Sequence, residues 1–314
     1  MKRELVLLDV DTGHDDAMAI CLATTSEKLK VLGITTVAGN QTVDKTTSNT
    51  LKVLTLIGKE SIPVAMGCHR PLIRELVTGP EIHGETGLDG AELPAPKANV
   101  VGVHGVEFLI RTLRGASDPV TLIPTAPLTN IAVALLLAPD IVPKIKRIVL
   151  MGGAINGGNR TATAEFNIFV DPEAAHIVFT SGVPITMVGL DVTERATFSL
   201  QEIEAMTTAN SRVAKALRGL LSFYARQREK MRGRHGAALH DAVAVAAVLN
   251  PALLKVERLP VLVETRGDLT RGMTVVDRRK GFHEGAANVD VAVDINVELF
   301  KEMMSQCIAT LVYE

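Results

Sequence analysis

The chain has 314 residues, of which 47% are hydrophobic and 22% are charged, a composition typical of a globular protein with a large core. Its 33 basic and 35 acidic side chains nearly balance, which argues against a nucleic acid or an anionic membrane as partner. Cys21, Cys68 and Cys307 are widely spaced, a pattern that favours buried free thiols over a zinc or redox site. The first apolar run is too short for a signal peptide, and no later segment approaches the length of a membrane span. We therefore expect a cytoplasmic protein that acts on a small molecule.

Apolar, strand-like runs alternate with helical segments through the first two thirds of the chain. Strands are predicted at 4–10, 30–39, 62–67, 120–125, 147–153 and 184–192, and helices at 15–25, 43–58, 103–114, 128–138 and 172–181. Strands that are apolar throughout and are separated by helical crossovers indicate a parallel sheet covered on both faces. The predicted fold class is therefore α/β, a doubly wound, mostly parallel sheet with helices on both faces.

The last third of the chain is first helical and then rich in strands. Helical periodicity covers about 200–232 and 240–249, strands are predicted at 259–264, 272–277 and 288–295, and a final helix at 297–312. The segments "RGDLTRG" and "RRKGFHEG" between these strands are typical of hairpin-like loops. Because no repeat or Pro/Gly-rich linker interrupts the chain, we expect a single domain over residues 1–314 with a small antiparallel extension.

Acidic and polar residues follow several predicted strands at the point where each strand ends. Four carboxylates lie within eight positions after the first strand, in "DVDTGHDDA": Asp9, Asp11, Asp15 and Asp16. Asn40, Thr125 and Asp191 follow other strands. In open parallel sheets, ligands bind beyond the carboxyl ends of the strands, so these side chains are expected at one rim.

Four carboxylates in a partly dry crevice repel one another, which either raises their pKa values or requires a cation. Oxygen ligands without a nearby Cys or clustered His favour a hard ion, calcium or magnesium, over zinc. The alternative is that Asp15 and Asp16 only cap the following helix and Asp9 closes a turn. Capping requires one such residue rather than four.

Three further segments carry side chains suited to binding or catalysis. The segment "GGNRTATAEFNIFVDPEAA" offers Asn159, Glu165 and Asn167, a set that suits a polyhydroxylated ligand, although a solvated loop would have a similar composition. His83 lies in the Gly-rich segment "EIHGETGLDG", which is long enough to form a lid. His240 and Asp241 begin an Ala/Val-rich helix, where such a pair is often only a cap.

Seven motifs in order, "DVDTGHDDA", "TTVAGNQT", "HGETGLDG", "PTAPLTNIA", "VLMGGA", "AEFNIFVDPEAA" and "HDA", make the chain resemble the inosine-uridine-preferring nucleoside hydrolases. The resemblance runs from residue 3 to the end. It implies hydrolysis of the N-glycosidic bond of ribonucleosides to ribose and a free base, with a calcium ion at the carboxyl edge of the sheet. It also implies a homodimer or homotetramer.

The same resemblance implies roles for individual residues. The calcium ligands would be Asp11, Asp16, the backbone carbonyl of Thr125 and Asp241. Asp11 would also be the general base towards a calcium-bound water. The ribose would be held by Asp15, Asn159, Glu165 and Asn167, its pocket would be lined by Asn40 and Met151, and Asp9 would lie behind the ligands.

The base-binding side is less well defined by the resemblance. His240 would supply a proton or hydrogen bond to the departing base, and His83 would close over it. An aromatic residue that many members present to the base is replaced by Arg228, with Tyr224 one turn earlier, and both are candidate base contacts.

The expected activity is therefore relatively nonspecific, with both inosine and uridine as substrates. A pyrimidine-restricted nucleoside hydrolase is the alternative. Two rivals of other classes are a magnesium-dependent phosphotransferase or phosphatase and a non-catalytic nucleoside-binding protein. The chain lacks the Lys-bearing phosphate loop that the first rival would need. It retains Asp11 and Asp241, one of which the second rival would have lost.

Overall fold

The computed structural model describes residues 2–279 and 287–313. We number twelve strands in chain order, β1 (Glu4–Val10), β2 (Leu29–Thr36), β3 (Val64–Met66), β4 (Val120–Pro124), β5 (Ile145–Met151), β6 (Ile185–Val188), β7 (Thr197–Phe198), β8 (Ala237–Ala238), β9 (Leu254–Leu259), β10 (Val261–Val263), β11 (Thr274–Val276) and β12 (Val289–Ile295). Eight of them form one sheet in the order β3-β2-β1-β4-β5-β6-β12-β9. All neighbours in this sheet are parallel except β12 and β9, which are antiparallel. The predicted α/β class with a mostly parallel sheet is confirmed.

The α-helices surround this sheet: α1 (His14–Thr25), α2 (Val43–Leu56), α3 (Pro80–His83), α4 (Gly105–Gly115), α5 (Thr129–Leu137), α6 (Phe166–Val170), α7 (Pro172–Phe179), α8 (Leu190–Thr193), α9 (Leu200–Met206), α10 (Arg212–Arg232), α11 (His240–Leu249) and α12 (Val297–Tyr313). Two 3₁₀ turns, Pro139–Lys144 and Pro251–Leu253, precede β5 and β9. In the described part of the chain, no helix has the length and apolarity needed to cross a membrane.

Each face of the sheet packs against its own apolar core. Alternate residues of β1 divide between them: Val6, Leu8 and Val10 pack in one core, whereas Leu7 packs in the other. A strand buried on both faces is apolar throughout because successive side chains point to opposite faces. This is why β1 is predicted with its observed bounds.

Helices α1 and α11 are buried on nearly all sides and pack against each other. Alanines at positions such as Ala17, Ala242 and Ala246 leave space for close approach of the two helices. The amino ends of both helices consequently reach the carboxyl edge of the sheet, where their dipoles favour negative charge.

Two predicted strands differ most from the structure. The predicted strand 259–264 is wrong as one element, because Pro260 separates β9 from β10 and these two pair with different partners, β12 and β11. Proline has no N–H for a continuous ladder. The predicted strand 184–192 ends early at Val188, and α8 follows. Residues 280–285 of the predicted loop "RRKGFHEG" lie outside the described residues.

Candidate active site

A cavity of about 260 Å³ opens at the carboxyl edge of β1, β4 and β5. Most side chains predicted for the site line this cavity: Asp15, Asn40, His83, Thr125, Met151, Asn159, Glu165, Asn167, Tyr224, His240 and Asp241. Asp11 and Asp16 lie beside it and are fully buried. The structure thus collects residues from eight segments of the chain into one place.

Three carboxylates form the centre of the acidic cluster. One oxygen each from Asp15, Asp16 and Asp241 lies within 4.8 Å of the others, and this group could hold a metal ion. Asp11, which the resemblance places among the ligands, is not in this closest group. It nevertheless acts electrostatically on Asp241.

Burial is the main cause of raised pKa values in this cluster. It raises the pKa of Asp15 to about 7, with the charge of Asp16 as the next cause. Burial also raises the pKa of Asp16 to about 6, and the pKa values of Asp11 and Asp241 lie well above their ordinary range. Within the described residues, no Lys or Arg forms an ion pair with any of the four. A bound cation would supply the missing positive charge.

The orientation of Asp16 is fixed from three sides. Its carboxylate accepts hydrogen bonds from the backbone N–H of Gly13 at 2.9 Å and from the hydroxyl of Thr125 at 2.8 Å. The amide of Asn40 lies 3.4 Å away. These donors hold the side chain at the start of α1 and would keep it in place for a cation.

Asp11 has one oxygen held and one oxygen free. Its Oδ2 accepts from the backbone N–H of Asn40 at 2.7 Å, whereas the buried Oδ1 has no hydrogen-bond partner among the described residues. A Cβ at Gly39 would lie 2.1 Å from Oδ2, so the close approach of this loop requires glycine. Buried acceptors are rarely left unpaired, and the free oxygen therefore marks a place for a ligand.

Asp9 lies behind the cluster, as the resemblance implies. Its register opposite Thr35 of β2 and Pro124 of β4 places it inside the sheet. Its Oδ1 accepts from the hydroxyl of Thr35 at 2.6 Å and from the amide of Asn130 at 2.8 Å. Sequence reasoning assigned no role to Asn130, although a polar residue in the otherwise apolar α5 was a usable signal.

The segment predicted to bind ribose lies along one wall of the cavity. Both oxygens of Glu165 accept backbone N–H groups, including Gly153 at 3.0 Å and Asn167 at 2.9 Å, and Glu165 caps α6. The amide nitrogen of Asn167 donates to the carbonyl oxygens of Thr125 and Met151 at 3.0 and 3.1 Å. A carbonyl oxygen has two lone pairs, so Thr125 retains one for a metal.

Aromatic rings form the opposite wall. Tyr224 stacks on His83 with ring centroids 5.4 Å apart, and the buried ring of His14 stacks on both. Burial, followed by the charge of His14, places the pKa of His83 well below its ordinary value. The loop after His83 is anchored to the segment that precedes α2, since Gln41 donates to the carbonyl of Gly84 at 2.9 Å.

His240 is oriented by one ring nitrogen and leaves the other available. Its Nδ1 lies 2.8 Å from the hydroxyl of Thr193, and its Nε2 has no partner among the described residues. Burial lowers the pKa of His240 to about 3, and nearby arginines, Arg228 foremost, act in the same direction. The ring is therefore neutral at pH 7 and can form a hydrogen bond to a ligand through Nε2.

Arg228 does not line the cavity, contrary to the predicted contact with the base. Its side chain is 1% exposed; it forms an ion pair with Glu194 at 2.5 Å and donates to the carbonyl of Gly236 at 2.7 Å. It lies behind the wall that carries His240. Asp191 also lies away from the cavity, where it accepts from the backbone N–H of Ile155 at 2.6 Å.

Several lining residues were missed by sequence reasoning: Glu81, Ile82, Arg160, Phe166, Met231 and Arg232. Arg232 belongs to the charged run "ARQREKMRGRH", a pattern that is most simply explained by a solvated helix end. Helix α10 is long enough to carry its last turn to the cavity mouth. Only the length and direction of that helix in three dimensions distinguish a solvated helix end from one that reaches the cavity.

The parallel sheet, its cavity at the carboxyl edge and the buried carboxylates together define a metal-dependent hydrolase site of the nucleoside hydrolase class. Residues 6–302 match the model of the family described as inosine-uridine preferring nucleoside hydrolase, and the chain belongs to this family. It is a ribonucleoside hydrolase, an enzyme that cleaves the N-glycosidic bond.

Three similar proteins place this membership in context. The pyrimidine-specific ribonucleoside hydrolase RihA of Shewanella sp. strain ANA-3 is 48% identical over 305 residues, covering 97% of this chain and 96% of the relative. The protein of the same name from Photobacterium profundum is 46% identical over 305 residues, covering 97% and 98%. A solved structure of a purine-preferring ribonucleoside hydrolase from Gardnerella vaginalis is 33% identical, with a TM-score of 0.92 over 98% of this chain and 99% of that chain.

Proposed function

We propose that this enzyme hydrolyses ribonucleosides in a calcium-dependent reaction and prefers pyrimidine bases, uridine foremost. The observation that carries the proposal is the buried carboxylate cluster at the cavity, in which Asp11 and Asp15 each retain an oxygen without a hydrogen-bond donor among the described residues. Such oxygens favour a cation and a hydroxylated ligand as occupants.

The donor set fits a calcium ion. Asp11, Asp16, Asp241 and the carbonyl oxygen of Thr125 would hold it, and all four supply oxygen, the ligand atom that calcium prefers. One oxygen of Asp15 also lies within 4.8 Å of oxygens of Asp16 and Asp241. A bound divalent cation lowers the pKa of a water molecule and offsets the repulsion among the carboxylates.

Asp11 is suited to act as the general base. The backbone N–H of Asn40 holds its Oδ2, which leaves Oδ1 free to accept a proton from the attacking water. Proton transfer needs an acceptor within hydrogen-bond reach of the nucleophile. The full burial of Asp11 excludes competing solvent from this transfer.

The wall formed by Asn159, Glu165 and Asn167 would bind the ribose. Hydrogen bonds to the sugar hydroxyls supply binding energy at a distance from the bond that breaks. As that bond breaks, positive charge develops on the ribose, and the nearby carboxylates of Asp15 and Glu165 stabilise it.

The preference for pyrimidines rests on two supports. The two RihA relatives at 46% and 48% identity carry pyrimidine-specific names. In addition, the low pKa of His240 leaves this ring able to hydrogen-bond a base but poorly able to protonate one. Purines gain more from protonation on departure than uracil does, because a purine has a basic ring nitrogen, N7, that can take up a proton, whereas uracil has no comparably basic nitrogen.

Two further parts of the proposal concern assembly and location. We expect a homodimer or homotetramer in the cytoplasm. Analytical ultracentrifugation tests the first, and cell fractionation tests the second. A monomer at micromolar concentration would contradict the expected assembly.

A direct assay tests the activity. The purified enzyme is incubated with uridine, cytidine and inosine, with calcium or with chelator, and reducing sugar is measured. We expect ribose release that is lost in chelator and restored by calcium, with the specificity constant highest for uridine. Magnesium instead of calcium in the restoration step tests the identity of the ion.

Variants connect the assay to the site. Asp11→Asn should lower ribose release by at least ~10²-fold, the usual contribution of a positioned general base. Asp44→Asn is the matched control, because Asp44 is an exposed carboxylate on α2 that does not line the cavity. Ribose release that requires phosphate would contradict hydrolysis and indicate a phosphorylase, and higher activity on inosine than on uridine would contradict the base preference.

A further inference from the structure

Two arginines line the cavity, and their situations differ. Arg160 forms an ion pair with Glu81 at 3.0 Å across the cavity mouth. Arg232 also lines the cavity and is partly buried, yet it forms no hydrogen bond or ion pair with any residue that the structure describes. The positive charge of Arg232 is therefore not committed to a protein partner within this part of the chain.

The position of Arg232 on α10 places it on the aromatic side of the cavity. Tyr224, Arg228 and Arg232 follow one another at intervals of four residues, and residues at this spacing share one face of a helix. Tyr224 stacks on His83. Arg228 pairs with Glu194, and the residue before Glu194, Thr193, contacts His240. After burial, the charge of Arg232 is among the causes that lower the pKa values of both histidines.

The departing base needs a stabilising group on this side of the cavity. As the N-glycosidic bond of a pyrimidine breaks, its electron pair passes to N1 and spreads onto the adjacent carbonyl oxygens. A guanidinium is charged at every working pH and presents several N–H donors in a planar fork. Donors placed where negative charge develops stabilise a transition state more than a ground state.

We propose that Arg232 donates hydrogen bonds to the departing nucleobase and stabilises the negative charge that develops on it. This inference rests on the proposed function. The bond between C1′ and N1 breaks, water adds to C1′, its proton passes to Asp11, and the base leaves as an anion that takes a proton from solvent. Arg232 acts in this step as a hydrogen-bond donor and not as the source of the proton.

The test compares substrates whose leaving groups differ in acidity. Uridine, 5-fluorouridine and 4-nitrophenyl β-D-ribofuranoside carry leaving groups of increasing acidity and decreasing need for stabilisation. In Arg232→Gln, we expect kcat/KM for uridine to fall by ~10- to 100-fold, with a smaller loss for 5-fluorouridine and a loss below ~3-fold for the 4-nitrophenyl substrate. Arg232→Lys keeps the charge and should recover part of the uridine activity.

Arg226→Gln is the matched control. Arg226 lies on the same helix but is exposed and does not line the cavity, so kcat/KM should match the wild type on all three substrates. Thermal unfolding of each variant checks that the fold is intact. If the Arg232→Gln protein is unfolded, Arg232→Lys becomes the deciding variant. Its losses in kcat/KM should again be largest for uridine and smallest for the 4-nitrophenyl substrate.

Three results would overturn the inference. Equal losses on the three substrates would show that Arg232 does not sense the leaving group, and unchanged uridine activity would show that it has no role in the step. Uridine 5′-monophosphate provides a further substrate for the test. If Arg232→Gln abolishes cleavage of this nucleotide but leaves uridine cleavage intact, Arg232 binds a 5′-phosphate, and the inference is overturned. A wild-type enzyme that releases no ribose from any substrate would instead refute the proposed function.

Discussion

The buried ion pair between Arg228 and Glu194 predicts an unequal effect of removing either partner. Arg228 is 1% exposed, and its only other hydrogen bond within the described chain is to the carbonyl of Gly236. Glu194 is 15% exposed and also pairs with the exposed Arg234 at 2.8 Å. Glu194 therefore retains a partner when Arg228 is removed, whereas Arg228 forms no second ion pair among the described residues.

The magnitude follows from the cost of an uncompensated buried charge. Breaking a buried pair by neutralising one partner costs about 3–5 kcal/mol. We expect Glu194→Gln to lower the free energy of unfolding by about 3 kcal/mol, since the amide oxygen still accepts a hydrogen bond from the stranded guanidinium. Arg228→Met should cost only about 1–2 kcal/mol, because it removes the buried charge and leaves an apolar side chain of similar length.

The double variant provides the sharpest test. The double variant, Arg228→Met with Glu194→Gln, should be more stable than Glu194→Gln alone, because Arg228→Met removes the buried charge that has lost its partner. Urea unfolding in saturating calcium measures the free energies and keeps the metal contribution constant. Additive losses in the double variant, or a larger loss for Arg228→Met than for Glu194→Gln, would refute this reasoning.

The same pair also bears on the pKa of Glu194 and on the position of His240. Burial by itself raises the pKa of Glu194, yet its electrostatic interactions with His240 and Arg228 hold this pKa below its ordinary value. The hydroxyl of Thr193, next in the chain, contacts His240. Glu194→Gln should therefore lower kcat in addition to stability.

Three other outcomes are expected. His240→Ala should reduce inosine cleavage more than uridine cleavage in steady-state assays, because a purine depends more on a hydrogen bond to the leaving base; equal losses would remove His240 from that role. In chelator, the melting temperature should be higher at pH 5 than at pH 8, because the folded-state pKa values of Asp9 and Asp15 are raised from 3.8 to about 7. The folded state therefore binds more protons than the unfolded state between these pH values and loses stability as the pH rises. Calcium should diminish the difference, and a higher melting temperature at pH 8 in chelator would contradict the linkage. Asn130→Ala should lower the free energy of unfolding by about 3–5 kcal/mol in urea titrations, because it removes bonds to Asp9, to the carbonyl of Thr36 and from the N–H of Cys68, each worth about 1–1.5 kcal/mol; a loss below about 1 kcal/mol would show that water replaces them.

Local patterns carried most of the information about the elements. Strands such as β1 are apolar throughout because both faces are buried, and residues 240–249 form a helix with the predicted bounds. Prediction was wrong at Pro260, where the divided strand depends on which partner each half finds. Pairing between distant segments leaves little trace in a local pattern.

The sequence by itself determined which chemistry is available: four closely spaced carboxylates at and just beyond the end of β1 require a cation or raised pKa values, and the ordered motifs name the family. Only the tertiary structure decided which residues act together. It places Asp16 within 4.8 Å of Asp241 although 225 positions separate them, because two buried helices pack side by side and end at the same edge of the sheet. It also turns Arg228 away from the cavity and leaves Arg232 in it. On a helix these two residues share one face, and only the packing of that helix against its neighbours separates a buried ion pair from a cation that faces the substrate cavity.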